Sequence, residues 1–204
     1  MEYKHFKNSD THCVQACLQT LLHYFGMPVL SIGKLDKIAR HKDGMFTWMS
    51  RYLLWLSNRF DIIHVENLDY RAFAKGGKKY LEEIWDADTF KVQDQFSDLV
   101  SEQKDAKLLV HNKNIILQNR RYGVEDIKFF SKRKYFILLS VNQNILYGGG
   151  GYGAHMVVVA GFNESGVTLI DPDRGITSYT EKRLADATYS TNKPDFSMTL
   201  LKVR

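Results

Sequence analysis

The chain has 204 residues, a formal net charge of +5, 44% hydrophobic and 25% charged residues, and only three prolines. That much apolar material excludes a disordered or low-complexity chain, and the length suits one domain or two tightly packed lobes. Two cysteines exclude a disulfide-stapled scaffold and a four-Cys zinc site within one chain.

The N-terminal residues are polar and charged, without the basic-then-apolar order of a signal peptide, and no apolar run is long enough to span a membrane. The expectation is a soluble, cytoplasmic protein with reduced cysteines. The first element follows Asn8-Ser9-Asp10-Thr11, whose side chains are suited to capping a helix. Val14, Cys17, Leu18, Leu21, Leu22 and Phe25 then recur on one helical face, and Gly26 with Pro28 stops the helix. Further helices are expected over 31–41, 47–60, 78–85 and 90–102. In the second of these, Trp48, Tyr52 and Trp55 form a packing stripe. The segments 61–77 and 104–132 carry weaker patterns, and Asp61 to Val65 is short enough to be a strand.

Beyond residue 133 the pattern changes to compact apolar runs: Lys134 to Val141, His155 to Gly161, Val167 to Ile170, Ile176 to Tyr179 and Ser197 to Val203. Turn sequences separate several of them, giving an antiparallel meander. The expected class is α+β, with a helical lobe over about 1–105 packed on an antiparallel β lobe over about 106–204.

Cys13 falls in the first turn of the first helix, where unpaired N–H groups and the positive end of the helix dipole favour a thiolate nucleophile. A thiol nucleophile needs a base, and the base needs an orienting group. His155 opens one strand and Asp171 closes the next, so a tight hairpin sets them side by side. Cys17, one turn deeper, reads as a core residue. A zinc site from Cys13, Cys17 and His155 lacks the usual knuckle spacing and a fourth ligand, so no metal or cofactor is expected. The run Tyr147-Gly148-Gly149-Gly150-Gly151-Tyr152-Gly153 lacks a Gly-Lys-Ser/Thr ending and leads into a strand, unlike a phosphate loop. It reads as a loop on the rim of a cleft, with Gly153 and Tyr152 placed to bind an extended substrate and Tyr147 as a wall residue. Lys132-Arg133-Lys134 and Arg120-Arg121 read as solvated surface, not as a nucleic-acid face.

The stretch Asp10-Thr11-His12-Cys13-Val14-Gln15-Ala16-Cys17-Leu18, with Tyr24-Phe25-Gly26, resembles the Cys box of the bacteriocin-processing, double-glycine leader peptidases. Their second box is similar to His155 through Gly175, with His-x-Val-Val-Val-x-Gly followed by Asp-Pro-x-x-Gly. The resemblance implies a papain-like fold and a cysteine peptidase acting on a peptide or protein substrate. It assigns Cys13 as nucleophile, His155 as general base and acid, and Asp171 as orienter. The family has Asp before the Cys and Gly after it, where this chain has His12 and Val14. The family's oxyanion-stabilising Gln is replaced by Lys7, and the adjacent Asn8 is the candidate oxyanion donor. A papain-like acyl transferase uses the same residues, and a non-catalytic peptide-binding module keeps the same cleft.

Overall fold

Helix α1 (Cys13–Tyr24) forms on the expected stripe, and Leu18 and Leu21 are fully buried along it. The structure, a computed structural model, describes residues 2–9, 11–151, 153–189 and 196–204. His12, not a Ser, Asp or Thr, takes the cap position and makes no side-chain cap hydrogen bond; Asp10 lies outside the described residues. At the other end Gly26 adopts φ +64°, which lets the Met27 N–H reach back to the Leu22 carbonyl at 2.8 Å.

The remaining helices are α2 (Ile32–Ala39), α3 (Ser50–Leu56), α4 (Tyr70–Gly76), α5 (Lys78–Ile84), α6 (Ala87–Phe96), α7 (Leu99–Leu109), α8 (Val124–Lys132), α9 (Gln143–Leu146) and α10 (Glu181–Tyr189). The strands are β1 (Phe60–Glu66), β2 (Ile115–Asn119), β3 (Phe136–Asn142), β4 (Ala154–Asn163), β5 (Gly166–Asp171), β6 (Gly175–Tyr179) and β7 (Ser197–Val203). They form one sheet in the order β2-β1-β7-β3-β4-β5-β6.

The chain is therefore mixed α/β, and it departs from the expected division in three ways. Strand β1 lies within the region expected to be a helical lobe, yet it sits inside the sheet between β2 and β7. The β1–β2 pair is parallel, so the sheet is mixed and not purely antiparallel. The helix expected over 90–102 is two helices, because the Asp98 side chain accepts the Ser101 N–H and starts α7.

Strand β3 shows why the central strands read as continuous apolar runs. Phe136 and Leu138 face one buried cluster, shared with α1, α3, α4 and α7. Ile137, Leu139 and Val141 face a second, shared with α8, α9 and α10. A sheet covered on both faces has no polar side to alternate with.

The β4–β5 hairpin carries the features that position the candidate site. Asn163 Oδ1 accepts the Ser165 N–H at 2.9 Å and shapes the turn. Gly166 follows at φ +133°, and a Cβ there would lie 2.1 Å from the Tyr179 carbonyl oxygen on β6. Only glycine fits both the dihedral and the approach. Gly166→Ala is expected to destabilise the protein by at least ~1–3 kcal/mol, read as a lower urea midpoint. Gly150→Ala, whose added Cβ meets nothing within 4 Å, leaves the midpoint unchanged.

Candidate active site

The register of β4 on β5 pairs Val158 with Ile170. Following the two strands to the end of the sheet brings His155 beside Asp171. His155 is 5% exposed and Asp171 fully buried, and Nε2–H of the ring donates to Asp171 Oδ1 at 2.9 Å. The second ring nitrogen, Nδ1, is then the one left to face Cys13, which lines the same cleft as His155. This proton assignment follows from the partners. The Cys-His-Asp set that the spacing suggested is thus brought together, with α1 crossing β4 to deliver the cysteine. Cys17 supports that crossing, since its buried thiol donates to the Met156 carbonyl at 3.3 Å. Burial, with Cys13 and the aspartates adding to it, pushes the Cys17 thiol well above its ordinary pKa.

Asp171 is held by three donors. Oδ1 accepts from His155 and from the Asp173 backbone N–H at 2.9 Å, and Oδ2 accepts the Tyr147 hydroxyl at 2.7 Å. Burial pushes the carboxyl upward, but the bonds from His155, Tyr147 and Asp173 outweigh it and hold Asp171 below the usual carboxylate range. Burial likewise opposes charge on His155, but the hydrogen bonds to Asp171 and Cys13 dominate and push it up to about 10. Tyr147, read from the sequence as a cleft wall, is instead a second anchor of Asp171, and Arg174 stacks on its ring at 3.6 Å. No sequence signal marks that role, which depends on α9 carrying Tyr147 back over the sheet end.

The segment before α1 is laced to the β5–β6 turn. The Asn8 backbone N–H donates to the Pro172 carbonyl at 2.9 Å, and His5 Nε2 bonds the same oxygen at 3.2 Å. The Asn8 side-chain Nδ2 donates to Asp173 Oδ1 at 2.9 Å. His12 bonds the Ser9 carbonyl through Nδ1 at 2.6 Å, and its Nε2 lies 3.6 Å from Asp36. Gly153 accepts the Gln143 N–H at 2.8 Å, and a Cβ on it would come within 2.9 Å of Gln143 Cγ. Tyr152 lies outside the described residues.

Cys13 and His155 open into a cleft of about 190 Å³. Trp48 and Trp85 form part of its wall, and His64, Glu66 and Tyr70 line it farther along. Trp48 was expected only to pack. Its ring does pack against Phe73 and Trp85 and its indole N–H donates to Ser97, but it also faces the cleft.

Among the described residues the Cys13, Cys17 and His155 trio does not form a metal-ligand cluster, and both thiols are free. The group with ligand atoms close enough together, within 4.8 Å, is His155, Asp171 and Asp173. Its carboxylates already accept protein N–H and O–H donors. No helix among the described residues is long and apolar enough to cross a membrane.

The peptidase domain of Streptococcus ComA, a bi-functional ABC transporter involved in a quorum-sensing pathway, has a similar structure. The TM-score is 0.51 at 14% sequence identity, covering 100% of this chain and 100% of that chain. No family model matches the chain, and no curated protein matches it. At this identity the likeness is one of fold, consistent with a papain-like peptidase domain.

The charged form of His155 is favoured by folding. Its stabilising effect is fully present below pH 6.5, the ordinary value, and is lost as pH rises through about 10. An NMR titration of the imidazole should therefore show a midpoint near 10 in the native chain. Both Asp171→Asn and Cys13→Ala should lower it, and an unchanged midpoint in both variants would contradict the hydrogen-bonded arrangement.

Proposed function

We propose that this protein is a cysteine peptidase related to the bacteriocin-processing, double-glycine leader peptidases, acting on a peptide or protein substrate. The observation that carries the reading is the buried His155–Asp171 hydrogen bond at the end of a cleft that Cys13 also lines. Free thiols on a chain with no membrane-spanning helix among the described residues suit action in a reducing compartment such as the cytoplasm.

In this mechanism the Cys13 thiolate attacks the scissile carbonyl carbon, forming a C–S bond while the carbonyl π pair moves onto oxygen. The Cys13 backbone N–H and the Asn8 amide are the donors assigned to that oxyanion. His155 gives its Nδ1 proton to the amide nitrogen, the C–N bond breaks and the amine leaves. A water then loses a proton to Nδ1 and attacks the thioester carbonyl, releasing the carboxylic acid and restoring the thiolate–imidazolium pair. Asp171 keeps the ring turned so that Nδ1 faces the reacting atoms, and Tyr147 keeps Asp171 in place. Gly153 and Tyr152 are the residues assigned to the substrate backbone.

A non-catalytic peptide-binding module is the second reading. The observation favouring it is that the Asn8 amide donates to Asp173, so one N–H of the assigned oxyanion donor is already engaged.

Iodoacetamide labelling between pH 5 and 7 separates the two readings. The peptidase reading expects Cys13 to be alkylated at least ~10-fold faster than a free thiol, with Cys17 unlabelled, and expects His155→Ala to remove that advantage. Labelling at the free-thiol rate, insensitive to His155→Ala, would sink the catalytic reading. On a cleaved peptide, Asp171→Asn should lower kcat by up to ~10⁴, as loss of an orienting carboxylate does in other triads.

A further inference from the structure

The cleft continues well past the reacting pair. Glu66 on β1 lies directly across from Ser197 on β7, whose hydroxyl meets that of Ser140 on β3 at 3.1 Å, and Ser140 pairs with Met156 on β4, the residue after His155. Glu66 and Met156 are thus three strands apart, roughly 14 Å at the ~4.8 Å strand spacing. An extended peptide covers that distance in about four residues.

The Glu66 carboxylate is held rigidly. Its Oε2 accepts the Tyr70 hydroxyl at 2.8 Å and the His64 Nε2–H at 3.1 Å. His64 is itself buried, with Nδ1 2.8 Å from Thr199 Oγ1, whose hydroxyl can donate to it. Both ring nitrogens of His64 are thus engaged, one by Thr199 and one by Glu66. Oε1 has no hydrogen-bond partner among the described residues, and the side chain is 15% exposed where it lines the cleft. No Lys or Arg is among the described lining residues. Arg120, whose backbone N–H donates to the Glu66 carbonyl, has its guanidinium on Asp126 and Gln118. The same cleft is walled by Trp48 and Trp85, surfaces that accept an aliphatic stem or the face of a cation.

The geometry points to Glu66 as a specificity-determining residue that receives a Lys or Arg side chain of the peptide substrate, within about four residues of the scissile bond. The inference rests on the peptidase reading of Cys13. A fixed carboxylate in a low-dielectric wall attracts a cation more strongly than an exposed one does. The tryptophans supply contact for the stem, while Tyr70 and His64 hold Oε2 and leave Oε1 to the incoming charge.

The test uses octapeptides carrying a central thiol-reactive electrophile, with Lys, norleucine or Glu stepped through the four positions on each side. Inactivation rates are measured for the native chain and for Glu66→Gln, which keeps acceptors for Tyr70 and His64 but removes the charge. Iodoacetamide labelling of Cys13 runs alongside. In the native chain one position is expected to favour Lys over norleucine by about tenfold and to disfavour Glu. In Glu66→Gln the Lys preference is expected to fall below about twofold. If no position favours Lys, or the preference survives in Glu66→Gln, the subsite is overturned while selective iodoacetamide labelling leaves the Cys13 reading standing. If iodoacetamide finds no selective Cys13, or the native chain labels with iodoacetamide but with no octapeptide, the peptidase reading fails and the subsite with it. The comparison of Lys with Glu in the native chain keeps the result decisive should the variant not fold.

Discussion

A carboxylate with no exposure to water is tolerable only when protein donors replace its hydration. Asp171 meets that condition with one donor from each of three places: the His155 ring on β4, the Tyr147 hydroxyl after α9, and the backbone N–H of its own turn at Asp173. These bonds fix the ring plane of His155, the path of the glycine-rich loop and the conformation of the β5–β6 turn. Through the turn they also fix the entering chain, because Asn8 and His5 bond the Pro172 carbonyl and Asn8 bonds Asp173. The start of α1, and so Cys13, is set by contacts that lead back to the same carboxylate.

The helix end itself is left open to this arrangement. His12 does not cap α1 with its side chain, and no acidic residue occupies the first turn. A capping carboxylate there would satisfy the first N–H groups and set a negative charge beside the thiol. Without one, the helix start depends on contacts other than a side-chain cap. The buried stripe and the Cys17 bond to Met156 hold the helix by its flank instead.

What was legible in the sequence follows from this division of labour. The α1 stripe, the central strands and the His–Asp hairpin are written in local patterns: a 3.6-residue period, apolar runs and turn residues. Strand β7 was legible for the same reason. Strand β1 was only half legible because its pattern is broken by polar residues, exposed Asp61 near its start and His64 and Glu66 toward its end, in a strand that lies inside the sheet. The break at His64 and Glu66 is where the strand lines the cleft, so the local rule fails at a position with another use. The break between α6 and α7 hung on a single capping aspartate in a helical-looking run. Tyr147 was beyond local reading, since its partner is twenty-four residues away and is reached only once the loop has folded back.

The net charge of +5 shows why a whole-chain sum says little about a site. Several of the cations it counts are already engaged: Arg40 and Arg51 on the buried Asp105, Arg120 on Asp126, Arg133 over the Phe129 ring and Lys128 on Glu181. None of these residues lines the cleft, where the fixed charge beyond the Cys13–His155 pair is the carboxylate of Glu66. A substrate approaching this protein meets a mildly basic exterior with salt-screened, short-ranged charges. Inside the cleft the fixed carboxylate among the described lining residues is that of Glu66, which water screens poorly, and on the proposed reading that local sign, not the global one, selects the side chain held there.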